Sequence, residues 1–163
     1  MFLKGDSISS NANSRVKVAM GAFLAYSAPG YQLDAMLDLS RVETRKRLSQ
    51  PASDGFFAIM DRWQVPIERA GELLGGKPRS TVYKLKSATG TLRQNELTRI
   101  SYIVGIYKAL HILLPDELAD RWITQPNDNV LFRGRAPIDY MVRSGIPGLQ
   151  QVRNLLDFER GGR

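Results

Sequence analysis

A 163-residue chain with one histidine and no cysteine has few ways to do covalent or acid–base chemistry. Cysteine nucleophiles, thiolate metal sites and disulfide scaffolds are excluded. A lone histidine, His111, cannot furnish a two-histidine zinc site. It lies in Lys108-Ala-Leu-His-Ile-Leu-Leu, an apolar stretch that suits a hydrogen-bonded core or interface histidine. Asp116, Glu117 and Asp120 resemble paired carboxylates, but they follow Pro115 in the opening turns of a helix, where the backbone dipole favours negative charge. Capping accounts for them. Gly71 with Gly75-Gly76 is no phosphate cradle, because no strand precedes it and no Gly-Lys-Ser/Thr follows. No catalytic residue, metal site, cofactor or small-molecule substrate is expected, and the chain reads as a binding protein.

Its charge points the same way. Of the 23 basic and 16 acidic residues, residues 51–110 hold nine and five, whereas residues 111–163 hold seven of each. Between Gly75 and Asn95 stand Lys77, Arg79, Lys84, Lys86 and Arg93 with no acid among them. Such a cluster can follow phosphates along a duplex, although a solvated basic face would look similar. Position favours the duplex. A short helix over Ile67–Leu74, a Gly-Gly turn and a second helix make a helix-turn-helix pattern. Val82 and Leu85 point that second helix inward, leaving Arg79, Ser80, Thr81, Tyr83 and Lys84 outward. Hydroxyls and long cations suit phosphate oxygens and major-groove base edges. With Lys77 and Lys86 these five are the candidate DNA-binding residues.

The elements that must hold these residues are helical throughout, so an all-α helical bundle is expected. Met1–Ser14 is polar and expected to lack fixed structure; residues 1–29 form a flexible N-terminal segment. Its apolar stretch, Val18–Tyr26, has nine residues, far short of the about 20 a membrane span needs. A cytoplasmic protein with no membrane partner is expected. Tyr31–Leu39 has helical spacing. Ser40-x-x-Glu43 reads as a capping box opening a basic helix to about Leu48, and Ser53 or Asp54 as the cap of another helix ending at Trp63. Pro66 opens the next helix, Pro78 sits in the first turn of the one after, and Thr91-x-x-Gln94 is a second capping box starting a long helix to Leu114. From Ile100 onward that helix is apolar on nearly every side, so it is buried centrally or paired with a partner subunit. Its extent favours self-association as a homodimer. Pro115–Trp122 is a short helix, Gln125–Arg135 a loop, Pro137–Arg143 a short helix and Leu149–Phe158 the last.

Specific motifs appear in the C-terminal third. Trp122-Ile-Thr-Gln-Pro-Asn, Leu131-Phe-Arg-Gly-Arg-Ala-Pro-Ile-Asp-Tyr-Met and Val152-Arg-Asn-Leu-Leu-Asp-Phe-Glu-Arg-Gly-Gly follow one another in order. Together with Leu73-Leu-Gly-Gly, Ser80-Thr-Val-Tyr, Leu97-Thr-Arg-Ile-Ser and Val104-Gly-Ile-Tyr-Lys-Ala-Leu-His upstream, they make the chain resemble the Xre/MbcA/ParS antitoxin family over about residues 30–163. In the Leu-Phe-x-Gly-x-x-Pro element, Leu131 and Phe132 can pack on the long helix, Gly134 permits a turn and Pro137 starts a helix.

The resemblance implies an Xre-like helix-turn-helix region for DNA binding and dimerisation over residues 30–110, and a helical toxin-binding antitoxin domain over residues 111–163. It implies two partners, a RES-domain toxin that consumes NAD or ADP-ribosylates a target, and operator DNA through which the antitoxin represses its own operon. Inhibition would be steric, with the last helix and a flexible Gly-Gly tail over the toxin's NAD pocket. Arg133, Arg135, Arg153, Asp157, Phe158, Arg160 and Arg163 are the candidate toxin-binding residues. Pro78–Leu85 lacks the glutamine-rich start of better-known Xre recognition helices, so base preference does not carry over. The competing reading is a stand-alone dimeric helix-turn-helix transcriptional regulator. An NAD-handling enzyme would need residues that are missing.

Overall fold

The computed structural model describes residues 38–87 and 90–161. Among these, the chain forms six helices: α1 (Val42–Arg62), α2 (Ile67–Leu73), α3 (Arg79–Lys86), α4 (Gln94–Leu113), α5 (Asp116–Trp122) and α6 (Pro137–Gly161). The architecture is all-α, and no described helix is long and apolar enough to cross a membrane. The expected helix over Tyr31–Leu39 falls largely outside the described residues, with Asp38 and Leu39 leading into a turn before α1. The flexible segment expected over residues 1–29 lies wholly outside them.

α1 corrects the expectation of two helices. It runs unbroken through Pro51, a residue that removes one helical donor and costs about 3 kcal/mol in a helix interior. An apolar stripe on both sides of Pro51 offsets that cost. Leu48, Ala52, Phe56, Ile59, Met60 and Trp63 recur at three- and four-residue steps, each at most 3% exposed. Neither expected cap forms. Ser40 donates to Asp38 rather than to the helix, and Ser53, inside α1, donates to the Leu85 carbonyl at 2.8 Å. One turn earlier the buried Ser49 hydroxyl accepts from the Leu92 amide at 2.8 Å. α1 thus supplies polar anchors for the end of α3 and for the approach to α4.

α4 is the central element, packed against α1, α5 and α6. Leu97, Ile100, Ile103, Val104, Ile106, Tyr107, Ala109 and Leu110 are all buried within the chain, so most of the apolar girdle read from the sequence is covered internally, while Ile112 on the same helix stays 53% exposed. The capping box also sits two residues later than expected. Arg93 precedes the helix, and its amide donates to Glu96 Oε2 at 2.7 Å. Pro66, Pro78 and Pro115 each stand immediately before a helix, where a missing N–H is harmless. α6 has two helical halves, broken where Gly145 takes φ 62° and ψ −144°.

Candidate functional site

The helix-turn-helix is built on three glycines. Gly75 (φ 97°) and Gly76 (φ 80°) make a turn that favours glycine. The Gly71 carbonyl accepts from the amides of both Gly76 (3.0 Å) and Lys77 (2.9 Å). A Cβ on Gly71 would lie 2.4 Å from the Lys77 carbonyl oxygen and 3.1 Å from Val82 Cγ2, so α2 and the chain entering α3 touch at closest range there. Val82 is fully buried and Leu85 half-buried, which fixes the roll of α3. Arg79, Ser80, Tyr83, Lys84 and Lys86 are exposed and Thr81 is half-exposed.

Two of the candidate cations are held lightly and one firmly. Arg79 pairs with Glu68 at 3.1 Å across an exposed surface, donates to the Tyr83 hydroxyl at 3.3 Å and lies 5.6 Å from that ring's centre. Lys86 is 3.7 Å from Asp61 and 5.7 Å from the Phe57 ring. Exposed pairs like these exchange readily for another anion. Lys77 instead pairs at 2.6 Å with Glu96 Oε1, where Glu96 is almost wholly buried. The same carboxylate caps α4, so Lys77 ties the turn to the central helix.

His111 and its neighbours are internal. Its Nδ1 is 2.9 Å from the Tyr107 carbonyl oxygen and its ring centre is 4.0 Å from that of Tyr107. Its Nε2 lies 3.2 Å from Asp120 Oδ1. Asp120 also pairs with Arg62, joining α5 to the end of α1. Asp116 and Glu117 stand in the first turn of α5 without a side-chain cap bond, and Asp120 is a part-buried ion-pair partner. Burial, with the Asp120 carboxylate adding to it and Arg62 opposing, pushes the Tyr107 phenol up to about 12. Among the described residues no group of three or more His, Cys, Asp or Glu side chains could hold a metal ion.

The C-terminal candidates fall into two sets. Arg153 lies against Gly105 of α4, where an added Cβ would meet its Nη1 at 2.5 Å, and its Nε donates to Asp157 at 2.7 Å. Arg160 is 3.7 Å from the same carboxylate. Phe158 stands 73% exposed, beside a groove of about 200 Å³ lined by residues including Leu113, Leu114, Trp122, Leu155 and Glu159. α6 continues through Gly161, so the expected flexible tail is helical as far as the first of its two glycines. Gly162 and Arg163 lie outside the described residues.

Arg133 and Arg135 belong to a different surface. Phe132 is buried and meets Trp122 (5.6 Å) and Tyr140 (5.9 Å) edge-on. The backbone then turns through Arg133 (φ 53°) and Gly134 (φ 77°). A left-handed arginine costs about 1–2 kcal/mol. The Arg133 amide bonds to Asn129 O at 3.1 Å, the Gly134 amide to Asn127 O at 3.0 Å and the Asn127 amide back to Arg135 O at 3.2 Å. The outcome is a concavity of about 610 Å³ lined by Val130, Leu131, Phe132, Arg133, Arg135, Tyr140 and Arg143. Sequence reasoning missed Val130, Tyr140 and Arg143. Pro137 opening a helix was the available signal, since it puts Tyr140 and Arg143 three residues apart on one face.

The two regions meet directly. Arg69 of α2 pairs with Asp139 of α6. Arg99 of α4 donates to Leu73 O at 3.3 Å and packs against Gly75 in the turn, with Gly145 at the α6 break close by. Burial lowers the pKa of this guanidinium.

Comparison with known proteins matches residues 46–105 to the antitoxin Xre-like helix-turn-helix domain and residues 109–162 to the antitoxin Xre/MbcA/ParS C-terminal toxin-binding domain. The chain is 40% identical over 126 residues to the uncharacterized protein y4oB of Sinorhizobium fredii, covering 71% of this chain and 96% of that one. No solved structure matches. A helix-turn-helix built on Gly71, Gly75 and Gly76, joined through one buried helix to a C-terminal half that matches a toxin-binding domain, places this chain in the Xre/MbcA/ParS antitoxin family.

Proposed function

We propose that this antitoxin neutralises a RES-domain toxin, one that consumes NAD or uses it for ADP-ribosylation, by covering the toxin's NAD pocket, and that it represses its own operon through α3. The observation that carries the reading is the pairing of two outward surfaces on one body. One is an α3 face of hydroxyls and lightly held cations. The other is a C-terminal surface inside the toxin-binding match that keeps Arg133, Arg135 and Phe158 exposed. Arg79, Ser80, Thr81, Tyr83, Lys84 and Lys86 are the proposed DNA contacts. Arg133, Arg135, Phe158 and Arg160 are the proposed toxin contacts, with Arg153 and Asp157 bracing the last turns of α6.

A cytoplasmic homodimer belongs to this reading, because helix-turn-helix proteins bind two half-sites one helical turn apart. The end of α4, where Ile112 is 53% exposed, is the proposed dimer contact. The test is co-expression with the protein encoded by the adjacent gene, followed by affinity capture and measurement of cellular NAD. A stable complex and restored NAD are expected. Free toxin activity despite full expression of this chain would refute the proposal.

A further inference from the structure

The concavity at the start of α6 has a chemistry that nothing among the described residues uses. Arg133, Arg135 and Arg143 line it with no acidic residue among the lining groups. All three are exposed, and none has an ion pair or side-chain hydrogen bond among the described residues. That contrasts with Arg41, Arg62, Arg69, Arg79, Arg153 and Arg160, each of which has found a carboxylate. Three like charges around one hollow repel one another, and the loop that presents two of them is pinned by backbone hydrogen bonds on both sides. A set of unpaired guanidiniums on a fixed backbone is suited to an anion, since charge-assisted bonds to it meet no internal competitor.

The rest of the lining says which anion. Val130 is 87% exposed, and the half-buried Leu131 and Tyr140 contribute apolar surface beside the arginines. A duplex backbone presents phosphates without apolar groups, so it leaves the apolar part of the lining of this hollow of about 610 Å³ unmatched. A protruding protein segment that carries carboxylates next to an apolar side chain matches both halves of the lining. We infer that the Arg133–Arg135–Arg143 concavity is the receptor for an acidic, partly apolar protrusion of the toxin, separate from the contacts made by the end of α6. This inference rests on the antitoxin reading.

The test uses the full-length antitoxin and the purified product of the adjacent toxin gene. Arg143→Glu is expected to weaken the complex about 100-fold and Arg133→Glu with Arg135→Glu at least as much, both with unchanged thermal melting. Replacement by lysine at all three positions retains charge but loses the fork geometry, and an intermediate loss is expected. Wild-type affinity falls with added salt, and the glutamate variants flatten that dependence. If wild type binds the toxin and the glutamate variants bind equally well, the concavity is not the receptor. Loss of operator binding with toxin binding intact would make it a phosphate site and overturn the inference. Failure of wild type to bind the toxin at all overturns both this inference and the antitoxin reading.

Discussion

Two glycine-to-alanine substitutions should move stability in opposite directions, and the difference is set by what a single methyl meets. At Gly55, in the middle of α1, a Cβ meets nothing within 4 Å. Alanine there gains the helix preference of about 1 kcal/mol with nothing to oppose it. At Gly71 the same gain applies, but the methyl would stand 2.4 Å from the Lys77 carbonyl oxygen. That atom belongs to the backbone and cannot rotate aside. Overpacking costs about 1–3 kcal/mol, and moving Lys77 strains the two hydrogen bonds accepted by Gly71 O, about 1 kcal/mol each. The net expectation is a loss of about 2–4 kcal/mol for Gly71→Ala. In urea, with a slope of about 2 kcal/mol per molar, the midpoint should fall by about 1–2 M for Gly71→Ala and rise by about 0.5 M for Gly55→Ala. Fluorescence of the buried Trp63 reports the transition. Equal stability of Gly71→Ala and wild type, or a comparable loss at Gly55, would refute the close-contact account of the turn.

Three further outcomes follow. Arg79→Ala with Lys84→Ala should weaken operator binding and lower the slope of log affinity against log salt by about one per lost phosphate contact, with toxin neutralisation intact; equal loss of both activities would argue against separate surfaces. Removing residues 159–163 should restore toxin activity, read as falling NAD in cells, while melting and operator binding stay unchanged, because Glu159, Arg160 and Gly161 are all exposed; full neutralisation by the shortened chain would rule the tail out. Tyr107 has a folded pKa of about 12 against an ordinary 10.0, so the stability it contributes is complete below pH 10 and lost as pH rises from 10 to 12. About 2–3 kcal/mol is at stake, and Tyr107→Phe should flatten this alkaline decline in denaturation measured at pH 9 and 11.

Local chemistry was legible where one residue decides it. Pro66, Pro78 and Pro115 marked helix starts, Gly75-Gly76 marked the turn, and Val82 gave the roll of α3. What stayed hidden depends on residues distant in sequence. A break between Leu48 and Ser53 was expected because a cap is a local signal, whereas the stripe from Leu48 to Trp63 that carries the helix through Pro51 gains energy only against α4 and the rest of the core. Ser53 looked like a cap because its partner, Leu85, lies 32 residues away, and the Ser49 bond to Leu92, 43 residues away, had no local signal. Lys77 looked free for the same reason, since nothing near it in sequence announces the buried Glu96. The girdle of α4 read as core or interface, and the return of α6, distant in sequence, covers most of it while leaving Ile112 exposed.

The boundary between the two matched domains falls between residues 105 and 109, inside α4 rather than in a linker. Ile103, Val104, Ile106 and Tyr107, on both sides of it, are all buried in the same core. Fragments separated there would each inherit part of a helix and a torn apolar face, so neither half is an independently inheritable module. Swapping toxin specificity between relatives by recombination would have to carry α4 along, with a join no later than Arg93. A protease that opens either half also disarms the other. Loss of DNA binding and loss of toxin restraint would then be a single kinetic event, with one half-life for the whole molecule.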